Sequence, residues 1–305
     1  VFDASGKLLL KSKQAVSNCD KTSKQCVLTK DIELDSPKLW SPASAHLYKL
    51  VSRITQQDKI LDQVETHFGV RSIEWHADTG FWLNGKVTKL LGVSEHYEGG
   101  PLGGAWTKPF LKWKLSLLKD MGVNAIRTAH NPYPPMFYEL CDELGIMVMD
   151  EIFDGWMKKA EFDYGFQAFD QSWHKDLTEW VKRNRNHPSI IIYSMGNETR
   201  GEEIAKSLVQ LTHELDPTRP VTSCHSASDQ MDVFGVNGGS EKYQFFENKR
   251  PNKPFVATEA PHTWQTRGYY RSKTWLRDGN RNAEQGIFPS PALTEDEISG
   301  FGDIL

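Results

Sequence analysis

Two glutamates in the chain directly follow strand-like runs of hydrophobic residues. The segment IIIYSMGNETRG, residues 190–201, leads from a hydrophobic run to Asn197 and Glu198, and PFVATE, residues 254–259, ends in Glu259. Two carboxyl groups that face each other can hydrolyse a glycosidic bond, because a protonated one donates to the leaving oxygen while an ionised one attacks the anomeric carbon. The alternative is that each carboxylate only pairs with an arginine or caps a helix.

Further polar residues follow the neighbouring hydrophobic runs. Burying many charges is costly, because an isolated ion loses several kcal/mol of hydration in a poor dielectric. We therefore expect these residues to serve a common site, although Asp150 and Glu151 taken singly could equally be structural. The residues are His96, Arg127, His130, Asp150, Glu151 and Asn237.

The second part of the chain alternates short apolar runs with amphipathic segments. In PFLKWKLSLLKDMG, for example, Leu111, Leu115 and Leu118 share one helical face. Repeated strand–helix units with continuously apolar strands are typical of a parallel sheet buried on both sides. Seven runs, from VTKLLGV to PFVATE, predict an α/β fold, a (β/α)8 TIM barrel that lacks its last one or two units, with its site at the carboxyl ends of the strands. The alternative, an open doubly wound sheet, usually carries a GxGxxG turn, which GVSEHYEGG lacks.

The first part of the chain has a different pattern. Residues 1–72 hold short alternating runs, such as KQCVLTKDIEL and LYKLVSRITQ, that predict part of an antiparallel β-sandwich. We therefore divide the chain into a sandwich domain, 1–72, and a barrel domain, 73–305. The polar segment that follows Glu259 is predicted to be a long loop over the site.

Composition restricts the class of partner. The chain has 305 residues, with 36 basic and 40 acidic side chains and a formal charge of −4. Mild acidity without a long basic run argues against nucleic acid and anionic membranes. No apolar stretch approaches the roughly 18 residues of a membrane span. A neutral ligand is the expected partner.

The cysteines permit one disulfide, and their spacing indicates no metal site. Cys19 and Cys26 flank a short polar stretch where two strands could meet, so they could be bridged, which would favour a periplasmic or secreted location; the alternative is two free thiols. Cys141 and Cys224 are expected in the core. No Cys/His spacing resembles a zinc site, and no organic cofactor is implied.

Four separated segments resemble glycoside hydrolase family 2, the β-galactosidase, β-glucuronidase and β-mannosidase family. They are FWLNGKVTKLLGVSEH, LKDMGVNAIRTAHNPYPPMFYELCDELGIMVMDEIFDGW, RNRNHPSIIIYSMGNE and KPFVATE, and they occur in the family's order. SPKLWSPASAHLYKL and ETHFGVRSIEW also resemble the family's immunoglobulin-like domain running into its barrel. The resemblance covers roughly residues 37–265. It implies an immunoglobulin-like β-sandwich followed by a TIM barrel.

The resemblance also implies roles for individual residues. Glu198 would be the general acid/base and Glu259 the nucleophile, Asn197 would bind the sugar's 2-hydroxyl, and Arg127 would hold the nucleophile ionised. Two of the remaining candidates are tryptophans, whose rings would either stack on a face of the sugar or only pack against other side chains. The remaining substrate-binding candidates are His96, His130, Asn131, Asp154, Trp156, Asn237 and Trp264.

The family branch suggests a reaction. The motifs are most similar to the β-galactosidase branch, which implies a retaining, exo-acting hydrolase of terminal β-galactosidic bonds, with carboxyl groups about 5 to 5.5 Å apart. A galactan oligosaccharide is the expected substrate, and a homo-oligomer is compatible with the sequence. SEHYEGG and NGGS depart from the family pattern and leave the sugar open. The alternatives are a β-glucuronidase, another β-glycosidase or an inactive carbohydrate-binding relative. Some family members use divalent cations, but no ligand cluster in the sequence supports one.

Overall fold

A computed structural model of the chain describes residues 1–16, 26–157, 169–224, 229–237 and 252–259. Cys19, Trp264 and the segment that follows Glu259 lie outside the described residues, so the predictions made for them stay predictions. Cys26 is disulfide-bonded, whereas Cys141 and Cys224 are buried free thiols. No helix in the described ranges combines the length and apolar character needed to cross a membrane.

The first domain contributes an antiparallel strand pair. Strands β1 (Tyr48–Gln56) and β2 (Lys59–Phe68) pair along their whole length. Gln57 and Asp58, the two residues that connect them, both have positive φ, as a two-residue type I′ hairpin turn requires. The prediction of a strand in KQCVLTKDIEL is wrong for its described part, because residues 26–34 form no strand and are largely exposed. An alternating pattern becomes a strand only where a neighbouring strand supplies hydrogen bonds.

A small three-stranded sheet leads into the barrel. Strands β3 (Ile73–His76), β4 (Gly80–Leu83) and β5 (Lys86–Val87) are antiparallel. Phe81 and Leu83 of β4 are buried and pack against the interior residues of the barrel. This sheet therefore closes the end of the barrel where the strands begin.

The second domain has seven described parallel strands. Strands β6 to β10 lie side by side in chain order, β11 pairs with β12, and a bridge between Cys224 and Gly235 joins the two groups. The Ser94 hydroxyl of β6 donates to the Thr258 carbonyl of β12 over 3.1 Å, so the last strand returns to the first. The strands are β6 (Gly92–His96), β7 (Ala125–Ala129), β8 (Met147–Glu151), β9 (Ile190–Ser194), β10 (Val221–Thr222), β11 (Phe234–Asn237) and β12 (Phe255–Glu259).

The described residues include four α-helices that lie between these strands in sequence. Leu111 and Leu115 of α1 are buried, as their spacing predicts, and Thr107 caps that helix by accepting from the Phe110 N–H. Helix α2 ends at Gly145, whose φ of +71° is a conformation that glycine adopts without a Cβ penalty. The helices are α1 (Lys108–Asp120), α2 (Pro135–Leu144), α3 (Phe169–Asn184) and α4 (Glu202–Leu215).

One strand boundary differs from the sequence prediction. The run VTKLLGV was expected to be the first barrel strand, yet Val87 belongs to β5 and the barrel strand begins at Gly92. His96 is therefore the last residue of β6 and does not follow it. Strands β7, β8 and β9 are fully buried, whereas β6 and β12 are partly exposed and so are less apolar in sequence.

The barrel has two layers of core. An inner cluster combines inward-facing residues of the barrel strands with the apolar residues that close the barrel's lower end, and an outer cluster fills the space between strands and helices. Period-two alternation divides the residues of β7 and β8 between these layers, with Ile126 and Val148 in the outer cluster. The buried inner cluster comprises Trp40, Phe81, Leu83, Ala125, Met147, Met149, Ile191, Ile192 and Val233.

Buried polar contacts attach the first domain to the barrel. The Trp40 indole N–H donates to the Asp142 carbonyl over 2.9 Å, and the Arg71 guanidinium donates to the carbonyls of Pro188 and Ile190. Burial, assisted by the neighbouring Arg219, lowers the pKa of Arg71 to about 9. Because Ile190 is the first residue of β9, this attachment fixes the lower end of a strand that carries site residues at its upper end.

Asp150 was expected at the site, but its side chain points to the outer layer. It is fully buried and accepts hydrogen bonds from the Tyr138 hydroxyl (2.6 Å), the Asn184 amide (2.7 Å) and, at 3.3 Å, the Thr128 hydroxyl. Burial raises its pKa to about 6, although the bonds from Tyr138 and Asn184 oppose the rise. Asp150 thus joins β8 to α2 and α3 and supports the wall of the site.

This raised pKa predicts a pH-dependent stability. The folded state holds the Asp150 proton at pH values where the unfolded state has lost it, so its contribution falls as pH rises from about 4 to about 6. The difference between about 6 and the ordinary 3.8 corresponds to about 3 kcal/mol. In urea unfolding from pH 4 to pH 7, the free energy of unfolding of the parent should therefore decline relative to that of Asp150→Asn. A difference between the two proteins that does not change with pH would contradict this.

Candidate active site

A buried arginine at the end of the barrel axis is the centre of the candidate site. Arg127 Nη1 lies 2.6 Å from Glu259 Oε1, and its Nε and Nη2 lie 3.1 and 2.9 Å from Glu151 Oε2. Nη1 also contacts the Ser94 hydroxyl at 3.3 Å, and Nη2 contacts Asn197 Oδ1 at 3.2 Å. Burial alone would lower the Arg127 pKa, but the charges of Glu151 and Glu259 raise it above its ordinary value. The guanidinium therefore remains a cation.

Glu151 is the main partner of this arginine. It is the last residue of β8, it is fully buried, and its side chain points inward, opposite to that of Asp150. It accepts from the Ser194 hydroxyl at 2.7 Å and lies 2.8 Å from His130 Nδ1. The sequence left its role open. The available signal was the alternation in MVMDE, which puts Met147, Met149 and Glu151 on one side of the strand.

One histidine lies beside Glu259, and a second packs against the first. His130 Nε2 is 3.7 Å from Glu259 Oε1, and the His96 ring stands nearly perpendicular to the His130 ring with 5.1 Å between centroids. His130 is partly buried, whereas His96 is exposed. The structure thus brings both predicted histidines to the rim on the side of β6 and β7.

A chain of amide hydrogen bonds connects three strands across the rim. Asn197 Oδ1 accepts from Asn237 Nδ2 at 2.7 Å, and Asn237 Oδ1 accepts from the Thr258 hydroxyl at 2.6 Å. On the other side, Asn197 Nδ2 donates to Asp154 Oδ1 at 3.0 Å. These bonds fix the orientation of the Asn197 amide, because both its oxygen and its nitrogen have partners. Thr258 was not among the sequence candidates.

The turn after β9 gives Glu198 an unusual backbone. Glu198 is partly buried and has φ of +49°, a conformation that side-chain-bearing residues seldom adopt. Two residues earlier, Gly196 has φ of +155°, and a Cβ there would lie 2.8 Å from the Thr199 methyl and 2.9 Å from Trp156 Nε1. The glycine in SMGNE is therefore required both by backbone conformation and by space.

Hydrogen bonds connect Glu259 to the residue that precedes Glu198. Arg127 bonds both Glu259 and Asn197, the residue that directly precedes Glu198. In addition, Asn237 is in register with Glu259 on the paired strands β11 and β12 while its side chain bonds Asn197. The arrangement provides a carboxylate held by a cation, connected through Asn197 to the turn that carries Glu198.

Two predicted residues use their side-chain N–H groups on backbone carbonyls. Asn131 donates to the backbone carbonyl of Pro132, its own neighbour, at 3.1 Å. Trp156 is 1% exposed, donates to the Met195 carbonyl at 2.8 Å and stacks on Phe169. An indole enclosed in this way offers no face to a sugar, so Trp156 is a packing residue that supports the turn before Glu198.

The described part of the chain contains no group of three His, Cys, Asp or Glu side chains arranged to hold a metal ion. Its carboxylates at the rim are engaged with arginine, hydroxyl and amide groups instead. That the reaction needs no metal or organic cofactor stays a prediction from the sequence.

Comparison with known proteins identifies both parts of the chain. Residues 76–277 match the family model of the glycosyl hydrolases family 2 TIM barrel domain, and residues 2–71 match a second glycosyl hydrolases family 2 model. A crystal structure of a β-glycosidase from Bacteroides vulgatus is similar, with a TM-score of 0.75 and 47% identity, over 85% of this chain and 35% of that one. These matches confirm the predicted fold, a TIM barrel preceded by a β-sandwich domain.

Two curated relatives carry different activity names. A Formosa agariphila protein, provisionally named a β-glucuronidase, is 57% identical over 88% of this chain and 25% of its own length. β-Galactosidase BoGH2A of Bacteroides ovatus is 34% identical over 81% of this chain and 34% of its own length. The chain thus spans about a quarter to a third of these relatives. With a family model that covers the strands, the arginine and both glutamates, the chain belongs to glycoside hydrolase family 2.

Proposed function

We propose that this chain carries the active site of a retaining, exo-acting β-glycosidase that hydrolyses terminal β-galactosidic bonds. The observation that supports this most directly is the position of Arg127, which bonds the Glu259 carboxylate and the residue before Glu198 at the same time. One guanidinium thereby brings a nucleophile and an acid/base to the same sugar.

In the first step, Glu259 attacks the anomeric carbon while Glu198 donates its proton to the leaving oxygen. The carbon–oxygen bond to the aglycone breaks, an ester between the sugar and Glu259 forms, and the aglycone leaves as an alcohol. The ion pair of 2.6 Å between Arg127 and Glu259 keeps the attacking carboxylate oriented before the sugar arrives.

In the second step, Glu198, now ionised, removes a proton from water, which attacks the same carbon and releases Glu259. Two inversions retain the anomeric configuration, which requires carboxyl groups about 5 to 5.5 Å apart. Asn197 is fixed by Arg127, Asn237 and Asp154, so its amide can bind the 2-hydroxyl without reorganising.

The charges of the described rim residues favour a neutral sugar. Arg127 uses each of its three nitrogens on protein partners. The carboxylates of Glu151 and Glu259 bind it directly, and the Asp154 carboxyl is bonded to its partner Asn197. A uronate would bring a further negative charge to this group, at a free-energy cost that increases as water is excluded. This argument supports a neutral sugar, such as the proposed galactoside, over a uronate.

A β-glucuronide is the second candidate, because the Formosa agariphila relative is provisionally named for that activity. The two candidates predict different results in a panel of aryl β-glycosides. We expect the galactoside to have the highest kcat/KM, about 10-fold or more above the glucuronide, mannoside and glucoside. The assay is release of the coloured phenol by the parent protein. A faster reaction with the glucuronide would reject the galactosidase assignment and leave the two-glutamate mechanism in place.

Replacing either glutamate should abolish most turnover. Glu198→Gln is expected to lower kcat/KM for the preferred aryl glycoside by about 10² to 10⁴-fold, because no proton reaches the leaving oxygen. Glu259→Gln should lose at least as much, since no ester can form. Glu203→Gln, an exposed glutamate on α4, is the matched control and should react like the parent.

The same experiment tests the inactive alternative. If the parent binds galactose, measured by calorimetry, but releases no phenol from any glycoside of the panel, the chain is a sugar-binding relative and not a hydrolase. Full activity in Glu259→Gln would reject the assignment of the nucleophile.

The guanidinium shape should matter in addition to its charge. Arg127→Lys keeps the positive charge but cannot bond Glu151, Glu259 and Asn197 together, so we expect kcat to fall by about 10²-fold. Arg219→Lys is the control, because Arg219 is also buried and paired with an aspartate but binds the Ile190 carbonyl at the other end of β9. That variant should lower the thermal midpoint while the kcat of the folded protein stays unchanged. Equal kcat in Arg127→Lys and the parent would contradict the positioning role.

A further inference from the structure

We infer that Cys224, which follows β10, is a positioning residue for the acid/base Glu198 and acts by clamping the turn that carries it. The inference rests on the proposed function of Glu198. Cys224 is 1% exposed, and it was expected from the sequence to be an ordinary core residue.

The clamp begins where regular strand pairing ends. Strands β9 and β10 pair up to Ser194 and Thr222, and the Met195 N–H still donates to the Thr222 carbonyl at 2.7 Å. Beyond that point the Cys224 N–H donates to the Gly196 carbonyl at 3.4 Å. Cys224 thus continues the ladder into the turn.

Cys224 then contacts the other three residues of the turn. The Glu198 backbone N–H donates to Cys224 Sγ, and Sγ lies 3.6 Å from Asn197 Oδ1. The Cys224 carbonyl accepts from the Thr199 hydroxyl at 3.2 Å. Cys224 therefore contacts each residue from Gly196 to Thr199.

The turn needs such support because its backbone is strained. A non-glycine residue with φ of +49° has an unfavourable backbone conformation, which persists only where surrounding contacts hold it. Cys224 Sγ accepts the hydrogen bond from the N–H of Glu198, the strained residue itself. If that contact is lost, Glu198 can relax towards an ordinary conformation, which moves its carboxyl relative to Glu259.

A thiol suits this position because it stays neutral. Burial raises the Cys224 pKa to about 12, and the nearby Glu151 charge adds to the rise. The sulfur therefore accepts a hydrogen bond beside the acid/base without adding a negative charge there.

This role predicts an effect that depends on the leaving group. We would compare the methyl and dinitrophenyl β-glycosides of the sugar that the parent hydrolyses, using kcat/KM, which reports the first chemical step. Methoxide is a poor leaving group and needs the Glu198 proton, whereas dinitrophenolate leaves largely without it. In Cys224→Ala, kcat/KM should fall about 10-fold on the methyl glycoside, a part of the roughly 10² to 10⁴-fold that a general acid supplies, and change little on the dinitrophenyl glycoside.

Two further variants complete the experiment. Cys141→Ala removes the other buried free thiol, on α2 behind the sheet, and should leave both kcat/KM values as in the parent. Cys224→Ser restores an acceptor on a shorter bond and should recover part of the loss on the methyl glycoside. It also provides the measurement if Cys224→Ala does not fold.

Each remaining outcome is decisive. Equal losses on both substrates, or no loss on either, in variants that fold would overturn the role of Cys224 while leaving the proposed hydrolase intact. A parent that hydrolyses no glycoside would overturn the proposed function, and the role of Cys224 with it.

Discussion

The site depends on one buried cation, the guanidinium of Arg127. A charge taken out of water loses several kcal/mol of hydration, and the cost is met only if opposite charges and hydrogen bonds surround it. Glu151 supplies the fully buried counter-charge, while the partly buried Glu259 supplies the second. Because the planar fork of the guanidinium fixes the directions of its bonds, satisfying Arg127 also fixes Glu259 and Asn197. The groups that compensate the lost hydration of Arg127 therefore also set the arrangement of the candidate catalytic residues.

The barrel makes this solution possible through the alternation of its strands. Ala125 and Arg127 point inward on β7, and Met147, Met149 and Glu151 point inward on β8. Below the charged layer, the apolar inner cluster and the sheet formed by β3, β4 and β5 close the barrel to water. Outside it, Asp150 bonds Tyr138 and Asn184 and so ties β8 to the helices. Glu151 therefore binds Arg127 and Asp150 binds the helices, because the two neighbouring side chains lie on opposite faces of β8.

The sequence predicted which residues lie at the ends of the barrel strands more reliably than it predicted the contacts of their side chains. Hydrophobic runs and family motifs placed Asn197, Glu198, Asn237 and Glu259 at the ends of strands, and the structure has them there. Trp156 was a candidate sugar platform because an aromatic ring near a sugar site can stack or pack, and the sequence does not say which. The structure buries it on Phe169. KQCVLTKDIEL has the alternation of a strand, yet residues 26–34 form none, because alternation does not supply a pairing partner.

By itself, the sequence determined the fold class, the order of the strands and the residues at their ends. These properties follow from local patterns. A run of hydrophobic residues indicates a buried strand, and a glycine such as Gly196 is compatible with a backbone conformation that other residues seldom adopt. Only the tertiary structure decided which side chains meet: that Glu151 binds Arg127, and that Cys224 reaches across to the turn of Glu198. Such pairs are set by register between strands far apart in the chain. A shift of register like that between Val148 and Met149 changes which faces align, and no local pattern records it.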